Sequence, residues 1–119
     1  MAKKKILLID DEPQLVNVVK TRLEDKNYHV ITAFDGEEGL RKVKEELPDL
    51  IVVDIIMPNM DGYTFVKELR ADSQTKQIPV IVLTGRDKMK DLFEIEGIKD
   101  YVVKPFEGDK LLEKIEKYL

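Results

Sequence analysis

Residues 5–13 read Lys-Ile-Leu-Leu-Ile-Asp-Asp-Glu-Pro, and this stretch decides the fold. Its apolar run, Lys5–Ile9, is nearly continuous, as expected of a β-strand that is buried on both faces of a parallel sheet. Pro13 then opens a helix, because its fixed φ angle and missing N–H suit the first helical turn. The stretch therefore predicts a strand, a short acidic loop and a helix, which together begin an α/β fold.

The same alternation of strands and helices continues along the chain. The predicted strands are Lys4–Ile9, Tyr28–Thr32, Leu50–Val53, Pro79–Leu83 and Tyr101–Val103. The predicted helices are one beginning at Pro13, one capped by Asp35 and reaching about Leu47, and Tyr63–Ala71, Lys88–Ile95 and Gly108–Tyr118. In the second helix we expect Leu40, Val43 and Leu47 to face inward. This pattern implies a doubly wound α/β fold, a flavodoxin-like (βα)5 arrangement with a parallel sheet in the order 2-1-3-4-5.

Length, charge and composition limit the function. At 119 residues the chain is long enough for a substantial core, and we treat residues 1–119 as one domain. A net charge of −4 argues against nucleic-acid binding through general electrostatics. Cysteine is absent, which excludes disulfide and thiolate chemistry. No apolar stretch has membrane-spanning length and no signal peptide is expected, so we predict a cytoplasmic location.

Five polar side chains follow the predicted strands at the points where these end. Asp10 and Asp11 follow the first strand, and Asp54 follows the third. Thr84 and Lys104 follow the fourth and fifth strands. In the order 2-1-3-4-5 the ligand crevice lies at the carboxyl ends of the first and third strands, so we expect all five at one rim.

This set of side chains suits a cation and a phosphoryl group. Clustered carboxylates stay ionised only if a cation joins them, and oxygen ligands suit Mg²⁺. Zinc is disfavoured, because cysteine is absent and the only histidine, His29, is on a strand away from this rim. A carboxylate can also act as a nucleophile and form an acyl phosphate. Lys104 would supply a positive charge for a phosphate oxygen, and Thr84 would supply a hydroxyl donor.

The order of these motifs resembles that of the response-regulator receiver domain over essentially the whole chain. The matching segments are Ile9–Glu12, Asp54, Met57-Pro58, Met60-Asp61-Gly62, Leu83-Thr84-Gly85, Asp100-Tyr101 and Lys104-Pro105-Phe106. The resemblance implies that Asp54 accepts a phosphoryl group from a phosphohistidine on a sensor histidine kinase or phosphotransfer protein. It also implies a Mg²⁺ site made by Asp10, Asp11, Asp54 and the backbone carbonyl of Ile56.

The resemblance further implies a signalling switch rather than a turnover enzyme. Thr84 and Tyr101 would relay phosphorylation to the surface formed by the fourth predicted helix, the fifth strand and the last helix. We expect a downstream protein target, no direct nucleic-acid or membrane binding, a monomer or weak dimer, and no output domain within this chain. A cis peptide bond is expected before Pro105. We also expect Lys104 at a solvated rim, paired with a carboxylate, where its removal costs little stability.

Other interpretations stay open at this point. Asp11 and Glu12 are also the acids that a helix dipole favours at any helix start. A receiver-like adaptor that has lost phosphorylation would only bind partners, although the intact acidic and basic residues argue against it. A flavin or nucleotide enzyme on the same fold is a third interpretation, but Asp10–Gln14 contains no glycine and is strongly anionic. The stretch between Thr84 and Lys104 looks short for the family, so the fourth helix is expected to be short or irregular.

Overall fold

The computed structural model describes residues 3–85 and 98–119. Within these residues, parallel strands form one sheet in the order β2-β1-β3-β4-β5, which confirms the predicted order. The strands are β1 (Lys5–Ile9), β2 (His29–Ala33), β3 (Leu50–Asp54), β4 (Val80–Thr84) and β5 (Ile98–Val103). The described helices are α1 (Pro13–Asp25), α2 (Gly36–Glu46), α3 (Gly62–Ala71) and α4 (Gly108–Tyr118). The predicted helix Lys88–Ile95 lies outside the described residues.

Helices cover both faces of the sheet, which explains why the central strands are apolar at nearly every position. Leu7 of β1 packs in one buried cluster with Val43 of α2 and Phe65 of α3. The next residue, Leu8, points to the opposite face and packs in a second cluster with Leu23 of α1. Each strand residue therefore contributes apolar burial, at about 25 cal/mol for each Å² removed from water.

Strand β5 begins earlier than the sequence predicts, at Ile98 rather than at Tyr101. Its pairing with β4 shifts register near this start, where Ile98 and Asp100 are the partners of consecutive β4 residues. Lys99 is therefore an extra residue, as in a β-bulge. The polar bulge interrupts the apolar pattern, so the sequence hides the first half of the strand.

The ends of two helices follow local capping rules. Asp35 caps α2, as predicted, and its side chain accepts a hydrogen bond from the backbone N–H of Glu38 at 2.8 Å. Asp61 caps α3 by accepting from Thr64 N–H at 2.8 Å. The prediction that Leu47 faces inward is wrong. Leu47 ends α2 in the left-handed conformation, with φ 44°, and is 52% exposed, because the chain turns away from the core there.

The loop after β5 contains the expected cis peptide bond, between Lys104 and Pro105. The backbone N–H of Lys104 donates to the carbonyl of Thr84 at 2.7 Å. This bond keeps Lys104 next to the end of β4, on the rim where β1 and β3 also end. None of the helices in the described ranges is long and apolar enough to cross a membrane.

Candidate functional site

The carboxyl ends of β1 and β3 bring four carboxylates together. The two strands are register partners as far as Ile9 and Val53, so the residues that follow these, Asp10 and Asp54, lie side by side at the edge of the sheet. One carboxylate oxygen from each of Asp10, Asp11, Glu12 and Asp54 lies within 4.8 Å of the others. The structure therefore brings together the aspartates expected from the sequence, and it adds Glu12 as a fourth member.

Asp10 is the most deeply buried member of this acidic cluster, with no exposed surface. Its backbone N–H donates to the carbonyl of Ala33 in β2 at 3.1 Å, and its Oδ1 accepts from the backbone N–H of Glu12 at 3.0 Å. Burial raises the pKa of the Asp10 carboxyl above its usual value, and the interaction with Lys104 offsets this effect only in part. A buried carboxylate among other carboxylates requires a positive charge nearby.

Lys104 supplies that positive charge. Its Nζ lies 2.7 Å from Asp10 Oδ2, 2.9 Å from Asp54 Oδ2 and 3.1 Å from Glu12 Oε1. Although burial alone would lower it, the ion pairs with Asp10 and Asp54 raise the pKa of Lys104 above its usual range. Only 19% of the side chain is exposed, so the expectation of a solvated rim is wrong. The ammonium group lies among the carboxylates because it compensates their charge.

Asp54 ends β3 with both of its carboxylate oxygens engaged. Its Oδ1 accepts a hydrogen bond from the backbone N–H of Ile56 at 3.1 Å, and its Oδ2 accepts one from Lys104 Nζ. The peptide group of Ile56 therefore adjoins the carboxylate, in the loop where the resemblance expects a metal-binding carbonyl. The Ile56 side chain is exposed to solvent.

A close approach between helix α3 and the end of β3 holds this loop. A Cβ atom on Gly62 would lie 2.6 Å from the carbonyl oxygen of Asp54 and 2.7 Å from Cα of Ile55. The N–H of Gly62 also donates to the carbonyl of Ile55 at 2.8 Å. Only glycine fits here without a backbone shift, so Gly62 seats the first turn of α3 directly against Asp54.

Thr84 reaches the same rim at the end of β4, and it is almost completely buried. Its hydroxyl donates to the carbonyl of Gly85 at 3.0 Å. A threonine hydroxyl has one proton to donate. To donate to a phosphoryl oxygen, Thr84 would therefore have to release the Gly85 carbonyl.

Tyr101 is half-buried in β5 and contacts helix α4. Lys114 Nζ lies 5.3 Å from the centroid of the Tyr101 ring and 2.6 Å from Asp100 Oδ1. The hydroxyl of Tyr118 donates to Asp100 Oδ2 at 3.1 Å. Although burial opposes it, the hydrogen bond from Lys114 helps to hold the pKa of Asp100 below its usual value. The structure thus joins Tyr101 to α4, and its role as a switch stays a prediction.

Sequence reasoning missed two features of the site and its surroundings. Glu12 carried a signal, since it is the third acid in a row before Pro13, but acids at a helix start are common for other reasons. The pairing of Lys114 with Asp100 had no local signal, because it depends on how α4 packs against β5. Both contacts become visible only when the elements are assembled.

The acidic cluster fits a hard divalent cation. Its donors are carboxylate oxygens, which Mg²⁺ prefers, and they already lie within 4.8 Å of one another. Burial makes the Asp10 carboxylate costly to ionise, so an added positive charge would stabilise its ionised form. The clustered carboxylates of Asp10, Asp11, Glu12 and Asp54 are the groups among the described residues that could hold such an ion.

Comparisons with known proteins agree with this geometry. A sequence model of the response regulator receiver domain matches residues 6–116. The chain is 41% identical over 119 residues to the probable transcriptional regulator ycf27 of Guillardia theta, a match that covers 98% of this chain and 46% of that protein. The chain thus spans about half the length of such curated relatives.

Solved structures are similar over nearly the whole chain. The chemotaxis response regulator CheY4 of Vibrio cholerae has a TM-score of 0.91 and 35% identity, covering 99% of this chain and 100% of that one. The receiver domain of the sensor histidine kinase PA1611 from Pseudomonas aeruginosa PAO1 has a TM-score of 0.89 and 28% identity, covering 98% of both chains. That structure contains a magnesium ion coordinated in its active-site cleft.

Proposed function

Because the chain belongs to the response regulator receiver domain family, we propose that it is a phosphorylation-activated switch of a two-component system and that Asp54 accepts the phosphoryl group. One observation carries this proposal. The nearly buried carboxylate of Asp54 lies in a cluster of four carboxylates and 2.9 Å from the ammonium group of Lys104. A nucleophilic carboxylate, a site for a divalent cation and a fixed positive charge are what phosphoryl transfer requires.

The proposed reaction uses the chain's own groups at stated atoms. A carboxylate oxygen of Asp54 attacks the phosphorus of a phosphohistidine on a sensor histidine kinase or phosphotransfer protein. The P–N bond breaks, its electron pair leaves with the imidazole, and an acyl phosphate forms on Asp54. Asp10, Asp11, Asp54 and the Ile56 carbonyl would hold Mg²⁺, which would supply charge neutralisation at the phosphoryl oxygens. Lys104 provides a second positive charge from within the chain.

We propose that Thr84 and Tyr101 transmit the phosphorylation of Asp54 to the surface that includes β5 and α4. A phosphoryl group on Asp54 would offer the Thr84 hydroxyl a charged acceptor, which is stronger than the neutral carbonyl that it now contacts. Movement of Thr84 would leave space that the Tyr101 ring can enter. Phosphorylation would then shift the populations of two conformations, and a partner that prefers the active one would gain affinity by the same coupling energy.

The partners that we propose are a kinase-side protein and a downstream protein target. The net charge of −4 favours protein rather than nucleic-acid partners. We propose a cytoplasmic monomer or weak dimer that catalyses only its own phosphotransfer and dephosphorylation. The exposed, branched side chain of Ile56, two residues after Asp54, would hinder the water that hydrolyses the acyl phosphate.

Labelling with a small phosphodonor tests this function without a kinase. Incubation with acetyl phosphate and Mg²⁺ should add one phosphoryl group, measured by intact mass, and hydroxylamine should remove it. Asp54→Asn should abolish the adduct. Asp61→Asn is a matched control, because asparagine also caps a helix, and it should be labelled like the parent. Persistent labelling of Asp54→Asn, or an unlabelled parent chain, would contradict the proposal.

A further inference from the structure

The ammonium group of Lys104 lies among carboxylates: it donates hydrogen bonds to Glu12 Oε1 at 3.1 Å and to Asp54 Oδ2 at 2.9 Å, and its Nζ lies 2.7 Å from Asp10 Oδ2. A lysine ammonium carries three N–H donors, and three carboxylates lie within ion-pair distance of Lys104 Nζ. A phosphoryl oxygen that approaches Lys104 therefore competes with these carboxylates, and it gains the place of any that moves away. The three differ greatly in how easily they can do so, because they differ in burial.

Glu12 is the partner that can leave. Asp10 has no exposed surface and the Asp54 side chain is 10% exposed, so water cannot readily replace Lys104 at either carboxylate. Glu12 is 61% exposed, and water can solvate its carboxylate as soon as the ion pair opens. An ion pair with so exposed a partner contributes little to stability.

The main chain of Glu12 is held in place, whereas its side chain is largely exposed to solvent. The backbone N–H of Glu12 donates to Asp10 Oδ1 at 3.0 Å, which ties this residue to the acidic cluster. Glu12 is also the N-cap of α1, and within the described residues its side chain makes no capping hydrogen bond. Its carboxylate therefore faces Lys104 for a reason other than helix capping.

We propose that Glu12 occupies the phosphoryl position on Lys104 in the resting state and, through its charge, selects against more anionic phosphodonors. This inference rests on the proposed function, and it assigns to Glu12 a specificity role that phosphoryl transfer alone does not require. The incoming donor must approach the ammonium group while the Glu12 carboxylate still lies beside it. Repulsion between like charges grows with the charge of the donor, so a dianion is disfavoured more than a monoanion.

Two small phosphodonors of different charge make the test possible. With acetyl phosphate, a dianion near neutral pH, a carboxylate oxygen of Asp54 displaces acetate as the P–O bond to the acetyl group breaks. With phosphoramidate, a net monoanion, the same oxygen displaces ammonia as the P–N bond breaks. Both reactions give the same acyl phosphate. The change in the ratio of their rates from parent to variant cancels the different reactivities of the two donors, and so reports the effect of donor charge.

Glu12→Gln should raise the rate with acetyl phosphate more than the rate with phosphoramidate, so that the ratio of the two rates increases about threefold at low salt. High salt should reduce this increase, because the Glu12 side chain is exposed and its charge is screened. Each variant is assayed at a Mg²⁺ concentration that its own titration shows to be saturating. Glu12→Asp keeps the charge, and its rate ratio should stay close to that of the parent.

Glu24→Gln is the matched control, because Glu24 is an exposed acid at the far end of α1 and its removal changes the net charge equally. The inference is overturned if the rate ratio of Glu12→Gln equals that of the parent, or if Glu24→Gln shifts the ratio as much. A merely structural role for Glu12 would change both rates together. A parent chain that neither donor labels would overturn the proposed function, and this inference with it. Labelling of Asp54 with an unchanged ratio would overturn the role of Glu12 alone.

Discussion

Replacing Lys104 with alanine should destabilise the metal-free protein. The sequence alone suggested that this change would cost little, because an exposed ion pair contributes about 0–1 kcal/mol. In the structure, Lys104 instead faces three carboxylates, one of which, Asp10, has no exposed surface. Removing the ammonium group leaves the buried Asp10 carboxylate without a compensating charge, and an uncompensated buried charge strongly destabilises the folded state.

The size of the effect follows from the burial of the partners. Removing one partner of a buried pair costs about 3–5 kcal/mol. Lys104 keeps 19% of its side chain exposed and Glu12 is largely solvated, so we expect a somewhat smaller loss, about 2–4 kcal/mol in the free energy of unfolding. For a chain of 119 residues this corresponds to a melting temperature lower by about 10 °C.

Thermal unfolding at neutral pH, with chelator and then with millimolar Mg²⁺, measures this effect. Mg²⁺ should stabilise both proteins by mass action, but it should stabilise Lys104→Ala more, because the cation replaces the missing charge. Lys110→Ala removes an exposed lysine of α4 and is the control for net charge. If Lys104→Ala and Lys110→Ala melt together in chelator, or if Mg²⁺ stabilises Lys104→Ala no more than the parent, the account of this cluster is refuted.

Three further predictions concern single residues. Burial raises the pKa of Asp10, so the folded state binds the proton of this carboxyl more tightly than the unfolded chain does. In chelator, the contribution of Asp10 to stability should therefore grow as the pH falls from 7 towards the ordinary pKa of 3.8, and Asp10→Asn should remove this gain in melting temperature relative to the parent. Leu47→Gly should raise the free energy of unfolding by about 0.5–1 kcal/mol in urea denaturation, because glycine adopts the left-handed conformation without strain. A lower free energy of unfolding would show that the contacts of the half-buried leucine side chain outweigh the backbone strain. Gly62→Ala should lower the free energy of unfolding by about 2–3 kcal/mol and weaken the stabilisation by Mg²⁺, because the alanine Cβ would clash with backbone atoms of Asp54 and Ile55. A variant as stable as the parent would contradict this close approach.

Much of the fold could be predicted because the sheet is buried on both faces. Runs such as Leu50–Val53 are apolar at every position, and each is followed by a helical pattern, which leaves few topologies. Leu47 was predicted wrongly, because helical spacing continues past the point where the chain turns. The beginning of β5 was missed because the bulge at Lys99 places polar residues where a buried strand would have apolar ones.

The position of the candidate site could be predicted from the sequence, but the burial of its side chains could not. Strand ends in a known order place Asp10, Asp54 and Lys104 at one rim, and the structure agrees. The sequence does not reveal how far Lys104 inserts among the carboxylates, because its exposure depends on the path of the loop after β5. Glu12 was overlooked as a partner of Lys104 for the same reason, since that contact joins residues distant in sequence.

Reductive trapping tests the central claim most directly. After the chain is incubated with acetyl phosphate and Mg²⁺, borohydride reduces an aspartyl phosphate to homoserine, and peptide mass spectrometry identifies the residue that was converted. We expect conversion of Asp54 only when acetyl phosphate and Mg²⁺ are both present, with the neighbouring Asp10 and Asp11 unchanged. Conversion of another aspartate in place of Asp54, or none under conditions where the parent chain stays folded, would contradict the assignment of Asp54 as the phosphoryl acceptor.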